Sequence, residues 1–282
     1  LRGGSVQAFK FEGLHPERRY EVRFRGIADA ADRVGLLTTH ATNTLSPFAI
    51  VCINRNDPQA GIRSRTQQAR QQADTGQETK VRKTTPTPWE LLQFRLRDPW
   101  SAPHVMLHTG GQVQMDRQLS SAQAQAIQAE FNNLSTADQN AARQRVYDIV
   151  ADGYRTNWDI LSATREVLST CSNVMMCGFG DVSEGFGRSR GGQAAFLVQQ
   201  SRRAFQLYQK QLWDAFLTQR GNRPSATQTE GHFHLYGSVA LFCFDLRSHR
   251  VDADGIHCRD SPFIDEAQWD TLARVLSLPS VR

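Results

Sequence analysis

Val174-Met175-Met176-Cys177-Gly178-Phe179-Gly180-Asp181-Val182-Ser183-Glu184-Gly185-Phe186-Gly187 is the stretch whose reading decides the fold. A short apolar run stops abruptly at a glycine-rich loop, which is how a buried strand delivers a loop to the mouth of a sheet. Two other apolar runs end in the same way. Pro47-Phe48-Ala49-Ile50-Val51-Cys52-Ile53-Asn54 runs into polar residues, and Pro103-His104-Val105-Met106-Leu107-His108 runs into Thr109-Gly110-Gly111. Each reads as a buried strand, with Cys52 as a core residue.

Between these runs the chain is helical. Thr87, Pro88 and Glu90 spell an N-cap, a first-turn proline and a capping-box acid, followed by Leu91, Leu92, Phe94 and Leu96 as the apolar stripe. Residues 120–167 read as helices, with Ser135 to Asp138 capping one that carries Val146, Ile149, Val150, Tyr154 and Trp158. Residues 193–220 read as one long helix stopped by Gly221-Asn222-Arg223-Pro224, and Asp265 to Leu272 as another. Ahead of all this, Val6 to Phe11 and Tyr20 to Arg25 alternate like strands around a turn at Gly13-Leu14-His15-Pro16-Glu17. Alternating strands followed by strand–helix repeats predict an α/β chain with an all-β start.

The 282 residues are 39% hydrophobic and 22% charged, ordinary for a globular protein. No apolar run approaches the roughly 18 residues of a membrane span. Leu1 in place of Met leaves an upstream segment or a targeting peptide open. The five cysteines make no C-x-x-C pair and their number is odd. They read as reduced thiols in a reducing, intracellular compartment, with cytoplasm and organelle lumen indistinguishable. Six basic residues (Arg63, Arg65, Arg70, Lys80, Arg82, Lys83) and two acidic ones (Asp74, Glu78) place +4 of the net +5 in residues 59–87. The rest of the chain is nearly neutral, which argues against a general nucleic-acid surface. That segment reads as a solvated linker or insertion, or else as a basic arm for an acidic protein surface or RNA. Its lack of aromatic residues argues against RNA.

The stretch quoted first resembles the PhoD-like branch of the metallophosphatases, in which a strand ends close to W-D-D-H-[DE]-x-x-D-G-[WF]-G. Asp181, Glu184, Gly185, Phe186 and Gly187 fall on the tail of that pattern, while Gly178-Phe179-Gly180 stand where it has D-D-H. His108, Gly110, Gln112, Val113 and Asp116 match H-x-G-D-Q-V-Y-x-D, but Gly111 stands at the bridging metal ligand and Gln114 at the tyrosine. The segment around Cys52 resembles the family's first core strand, where some members use that cysteine as a ligand. Tyr154 and Trp158 are similar to its helix ahead of the D-D-H strand. Residues 236–248 and Asp265-x-x-Gln268-Trp269 resemble a later strand and helix. The turn before Tyr20 is similar to the E–F corner of fibronectin type III domains, which precede the catalytic domain in this family. Gly231-His232-Phe233-His234 looks like a late G-H-x-H metal motif, but it comes too early in chain order to serve as one.

The resemblance implies a four-layer α/β/β/α metallophosphatase sandwich over residues 46–282, lacking its last histidine-bearing loops, after the end of a β-sandwich in residues 1–45. It also implies lost chemistry. Cys52, His108, Gly111, Gln114, Asp116, Gly178, Phe179, Gly180 and Asp181 become the positions of a vestigial site. A two-metal phosphatase needs a bridging carboxylate and side-chain donors around each ion, and glycine has none. The expectation is therefore no catalytic residue, no metal ligand and no cofactor, with other protein subunits as partners. A divergent phosphatase with a rebuilt site around Cys52, Cys177, His108, Asp116 and Asp181, using a metal such as Fe or Ca, is the alternative. A third reading has the two glycine loops offering backbone N–H groups to a phosphate or nucleotide.

Overall fold

The central sheet has three parallel strands in the order β3-β4-β5: β3 (Ile50–Ile53), β4 (Val105–His108) and β5 (Ser172–Met175). Their register aligns Ile53, His108 and Met175 at the carboxyl ends. In-register parallel strands share side-chain faces, so these three and Met106 lie on one face, while Cys52, Leu107 and Val174 lie on the other. The computed structural model describes residues 9, 11–25, 33–40, 48–54, 86–98, 102–115, 119, 121–159, 162–182, 195–210, 231–247 and 264–279. The basic segment's Arg63, Arg65, Arg70, Lys80, Arg82 and Lys83 lie outside them, as do Asp116, Glu184 to Gly187 and Cys258.

Helices cover the first face. α1 (Pro88–Arg97) begins as its sequence dictates, with the Thr87 side chain accepting from the Glu90 N–H and Glu90 reaching back to the Thr87 N–H. α2 (Ser121–Phe131), α3 (Thr136–Asp159) and α4 (Ser162–Thr170) follow. Trp89, Leu92 and Leu96 of α1 pack with Met106, Ala163 and Val167. The apolar stripe is thus the i, i+3, i+7 set beginning at Trp89. Leu91 and Phe94, which the sequence placed on it, are 53% and 73% exposed. Gln93 of α1 bonds Glu166 of α4 across the same contact.

A hairpin covers the second face. β6 (His232–Tyr236) and β7 (Val239–Cys243) pair antiparallel around Gly237-Ser238, with Gly237 at φ 61°. Glycine at the first position of a two-residue loop supplies the left-handed φ such a turn needs. Tyr236, Leu241 and Cys243 pack on Val105, Leu107 and Val174. The segment from Tyr236 onward is therefore a hairpin return and not one continuous strand. Helix, parallel sheet and antiparallel hairpin make three successive layers of a mixed α/β chain.

The hairpin is fixed by α6 (Glu266–Leu276), whose N-cap Asp265 accepts from the Gln268 N–H. Gln268 accepts the Asp245 N–H at 2.7 Å and returns a bond to the Asp245 carbonyl at 3.2 Å, so one side chain stands in for a strand partner. The sequence resemblance at Asp245, Asp265 and Gln268 thus falls on structural residues. α5 (Ala195–Phe205) continues into a π-turn over Gln206–Lys210, which the single long helix of the sequence reading did not anticipate. The extra residue of a π-turn sets both Tyr208 and Gln209 into the core against α3. Among the described residues no helix is long and apolar enough to cross a membrane.

The N-terminal ribbon pairs β1 (Arg19–Phe24) with β2 (Arg33–Thr38), a strand the sequence reading missed. Phe9 and Phe11, expected in a strand, are exposed and outside any strand. The tyrosine at the turn behaves as the corner motif requires: the His15 N–H donates to the Tyr20 hydroxyl at 2.8 Å. β3 is also less buried than its sequence suggests. Its side chains alternate between exposed and half-buried, and Cys52 is exposed, so the strand is more open than a core strand and this cysteine is not a core residue.

Candidate functional site

The carboxyl ends of β4 and β5 each run into a glycine loop, and the two loops touch backbone to backbone. Gly110 has φ +102° and Gly111 φ +73°, both in the left-handed region that favours glycine. A Cβ at Gly110 would lie 2.6 Å from the Gly178 Cα, and a Cβ at Gly178 would lie 2.6 Å from the Gly111 nitrogen. No side chain of any kind fits between the loops at those positions. Gly110, Gly111, Gly178 and Gly180 are all buried, with Gln114 beside Gly180.

Asp181 fastens this contact. It sits at the end of a short 3-10 turn (Phe179–Asp181) and is fully buried. One carboxylate oxygen accepts the N–H groups of Gly111 and Gly178, each at 2.8 Å. The other accepts the Val113 N–H at 2.9 Å. One side chain thus takes three backbone donors from two strand ends, a charge-assisted arrangement. Burial pushes its carboxyl up to about 6, against the opposing pull of the Val113, Gly178, Gly111 and Gln112 N–H groups. At neutral pH it is an internal anion in a nest of N–H groups. Those three donors are therefore not offered to a bound phosphate, and the rest of the second loop, Ser183 to Gly187, lies outside the described residues.

Around this lock lies a polar core. Gln112 donates to the Met176 carbonyl at 3.0 Å, and Asn157 of α3 donates to the Gln112 carbonyl at 3.3 Å. Tyr154, buried completely, stacks on Tyr208 with centroids 5.0 Å apart and accepts a bond from Gln209 at 3.1 Å. Burial raises its hydroxyl well above the ordinary value, with the charges of Asp181 and Cys177 adding to the effect. Trp158 meets both tyrosines edge-on. The family-like Tyr154 and Trp158 are thus the helix–helix core behind the two loops.

His108 points toward the helical face, away from Cys52. Its Nε2 is 3.0 Å from the Asn173 side-chain oxygen, and Asn173 spends its own N–H groups on the Leu168 and Cys171 carbonyls. Asn173 is the acceptor, so Nε2 carries the proton and the ring is neutral; burial lowers its pKa. The ring also stacks on Trp89 at 6.4 Å.

Of the sequence-predicted site residues, Gly111, Gln114, Gly178, Gly180 and Asp181 come together. Cys52 lies on the other face of the sheet from His108 and is not brought to them. The backbone of Phe179 is part of the turn, and Asp116 lies outside the described residues. Among the described residues no group of three or more His, Cys, Asp or Glu side chains is placed to hold a metal ion. No family model matches the chain, and no curated protein or solved structure is similar to it at a significant level. The geometry of the two loops is what bears on function.

The residues the sequence reading missed are the donors of the lock, Val113 above all, and the clamp at Gln268. A carboxylate three residues beyond a glycine is a local signal for a turn that bonds back to the glycine N–H. The two bonds from the β4 loop have no local signal.

Proposed function

We propose that the chain is a PhoD-like pseudophosphatase: a metallophosphatase-type scaffold without catalytic residues, serving as a structural or interaction subunit of a larger protein assembly. The observation that carries this reading is the lock at Asp181. At the family's ligand positions Gly111 and Gly178, the two loops pack main chain to main chain, and both carboxylate oxygens of the neighbouring Asp181 are engaged by backbone donors.

The donor set does not fit a pair of divalent ions. Such ions need several carboxylate, carbonyl or imidazole donors converging at roughly 2.0–2.6 Å. Gly111, Gly178 and Gly180 supply no side-chain donor, and His108 spends one ring nitrogen on Asn173. Four ligands left buried without ions would repel one another and lose solvation, so glycine at 111, 178 and 180 and phenylalanine at 179 are the stable replacements. The succession of helices, parallel sheet and hairpin supports the proposal of an α/β/β/α sandwich. Leu91, Phe94, Trp269 and Leu276 keep apolar surface exposed, and the free thiols fit a reducing compartment.

The test is direct. Purified chain is loaded with Fe, Ca, Zn or Mn, assayed for bound metal, and given a phosphodiester substrate. The expected result is substoichiometric metal with every ion and turnover at the no-enzyme rate. One equivalent of tightly held metal together with turnover would establish the rebuilt-site phosphatase instead.

A further inference from the structure

The feature that the pseudophosphatase reading leaves unused is a cluster of imidazole and aromatic rings where three distant parts of the chain meet. His40 follows β2, Phe48 and His104 precede β3 and β4, and His234 and Tyr236 lie on β6. The His40 ring meets Tyr236 edge-on at 4.7 Å, Phe48 at 5.6 Å and His104 at 6.1 Å. Phe48 stacks on His104 at 5.5 Å, and His234 stacks on Tyr236 at 6.2 Å. The His104 Nδ1 accepts the Ala49 N–H at 3.0 Å, so this histidine also pins the approach to β3.

We propose that His40, His104 and His234, gathered on Phe48 and Tyr236, form an acid-sensitive clasp that holds the N-terminal ribbon and the β6–β7 hairpin on the parallel sheet at neutral pH and releases them in mild acid.

The physical reason is a lack of acceptors. Among the described residues, His40 Nδ1 and His234 Nε2 are buried without a hydrogen-bond partner. A neutral ring tolerates that with an unused lone pair, but a protonated ring places a charged N–H where nothing accepts it. The groups facing the cluster do not help. His104 faces His40, and His232 faces His234 at 5.0 Å. Tyr236 bonds the Ser172 side chain and feels Cys171 and Cys243, both themselves pushed up by burial. Among the described residues no carboxylate acts on His40 or His234. A second protonation adds repulsion between like charges.

The direction follows from linkage. Burial, with His104 adding to it, lowers His40 below 6.5, and burial lowers His234 to about 4. The clasped state disfavours the proton that the released state takes up near 6.5, so falling pH pulls toward release across the window from 6.5 to 4. Both partners leave together because Tyr236 is shared between His40 and His234.

Amide hydrogen exchange of the full chain at pH 7.5 and 5.0, corrected for the intrinsic pH dependence, reads this out. At pH 5.0 the His232–Cys243 hairpin and the amides of Thr39 and His40 exchange at least about tenfold faster, while α3 does not change. The double variant His40→Phe/His234→Phe keeps the ring packing and loses the selective acceleration. An equal acceleration in that variant, or none in the parent chain, overturns the proposal. Should the variant not fold, histidine ring NMR titration of the parent chain decides. A His234 ring that titrates near 4 and a His40 ring displaced below 6.5, with a coupled Tyr236 shift, support the clasp; both rings titrating near 6.5 overturn it.

Discussion

Asp181→Ala is expected to lower the free energy of unfolding by about 3–5 kcal/mol at neutral pH, measured by urea denaturation. The substitution removes three bonds to a carboxylate and leaves the Gly111, Val113 and Gly178 N–H groups buried without an acceptor. Each orphaned donor costs about 1–3 kcal/mol, partly offset by relief of the desolvated charge. The space left is carboxylate-sized and lined by donors, so formate should restore part of the loss while chloride at equal ionic strength should not. A loss below about 1 kcal/mol, with no response to formate, would remove the lock from the account.

The same variant changes the pH dependence of stability. Folded Asp181 holds its proton up to about 6 against a free value of 3.8, so its contribution grows as pH falls through that window. His234 runs the other way. Its folded value of about 4 lies below 6.5, so stability is withdrawn as pH falls from 6.5 to 4. Each shift is worth roughly 3 kcal/mol, and the two offset one another in the parent chain. Without Asp181 the buried histidines His40, His108 and His234 act unopposed by it, and the acid limb of the stability curve becomes steeper by the Asp181 contribution.

Gly178→Ala is the second large effect. The added methyl would sit 2.6 Å from the Gly111 nitrogen and 2.8 Å from the Gly110 Cα, both backbone atoms on a loop that Asp181 ties down. Nothing flexible can yield, so one loop must move and stretch the bonds to Asp181. A cost of roughly 2–4 kcal/mol is expected, at or above the upper end for overpacking in a well-packed interior. The control is Gly13→Ala. Gly13 has a left-handed φ of 70° that Gly178 lacks, and nothing lies within 4 Å of its Cβ position, so it shows the cost of strain without contact, about 1 kcal/mol. A loss at Gly178 no larger than that at Gly13 would mean that the contact between the loops yields easily and does not hold them. A consequence for the pseudophosphatase proposal is that Gly178→Asp cannot restore a ligand, because the loops leave no room for its Cβ.

Local rules made much of the fold legible. The Thr87, Pro88 and Glu90 cap, the Asp265 cap, the Tyr20 corner and the strand ending at His108 all depend on neighbours in sequence, and each stands where its residues put it. Periodicity failed where apolar residues outnumber the buried positions. In α1, Leu91 and Phe94 are as apolar as Leu92 and Leu96, and only the turn angle from Trp89 separates them. Burial of β3 failed for a different reason. Strand composition says nothing about how much of a strand its neighbours cover, and Cys52 is exposed.

The site was half legible. The pattern of glycines marked two loops, and the resemblance paired them, but neither indicated that they would touch. Asp181 stood among vestigial positions because its match lay on the pattern's tail. Its partners Gly111 and Val113 are about seventy positions away and donate through main chain, which leaves no trace in residue type. The ring cluster of His40, His104 and His234 is hidden in the same way, being assembled from three segments that only the tertiary fold brings together.

The most direct test is a crystal structure of the chain grown with manganese, with anomalous scattering recorded at high resolution. The account predicts no anomalous peak within about 2.6 Å of the Asp181 oxygens, and those oxygens bonded to the Gly111, Gly178 and Val113 nitrogens. A manganese peak at about 2.0–2.2 Å from Asp181, with the two glycine loops parted around it, would contradict it.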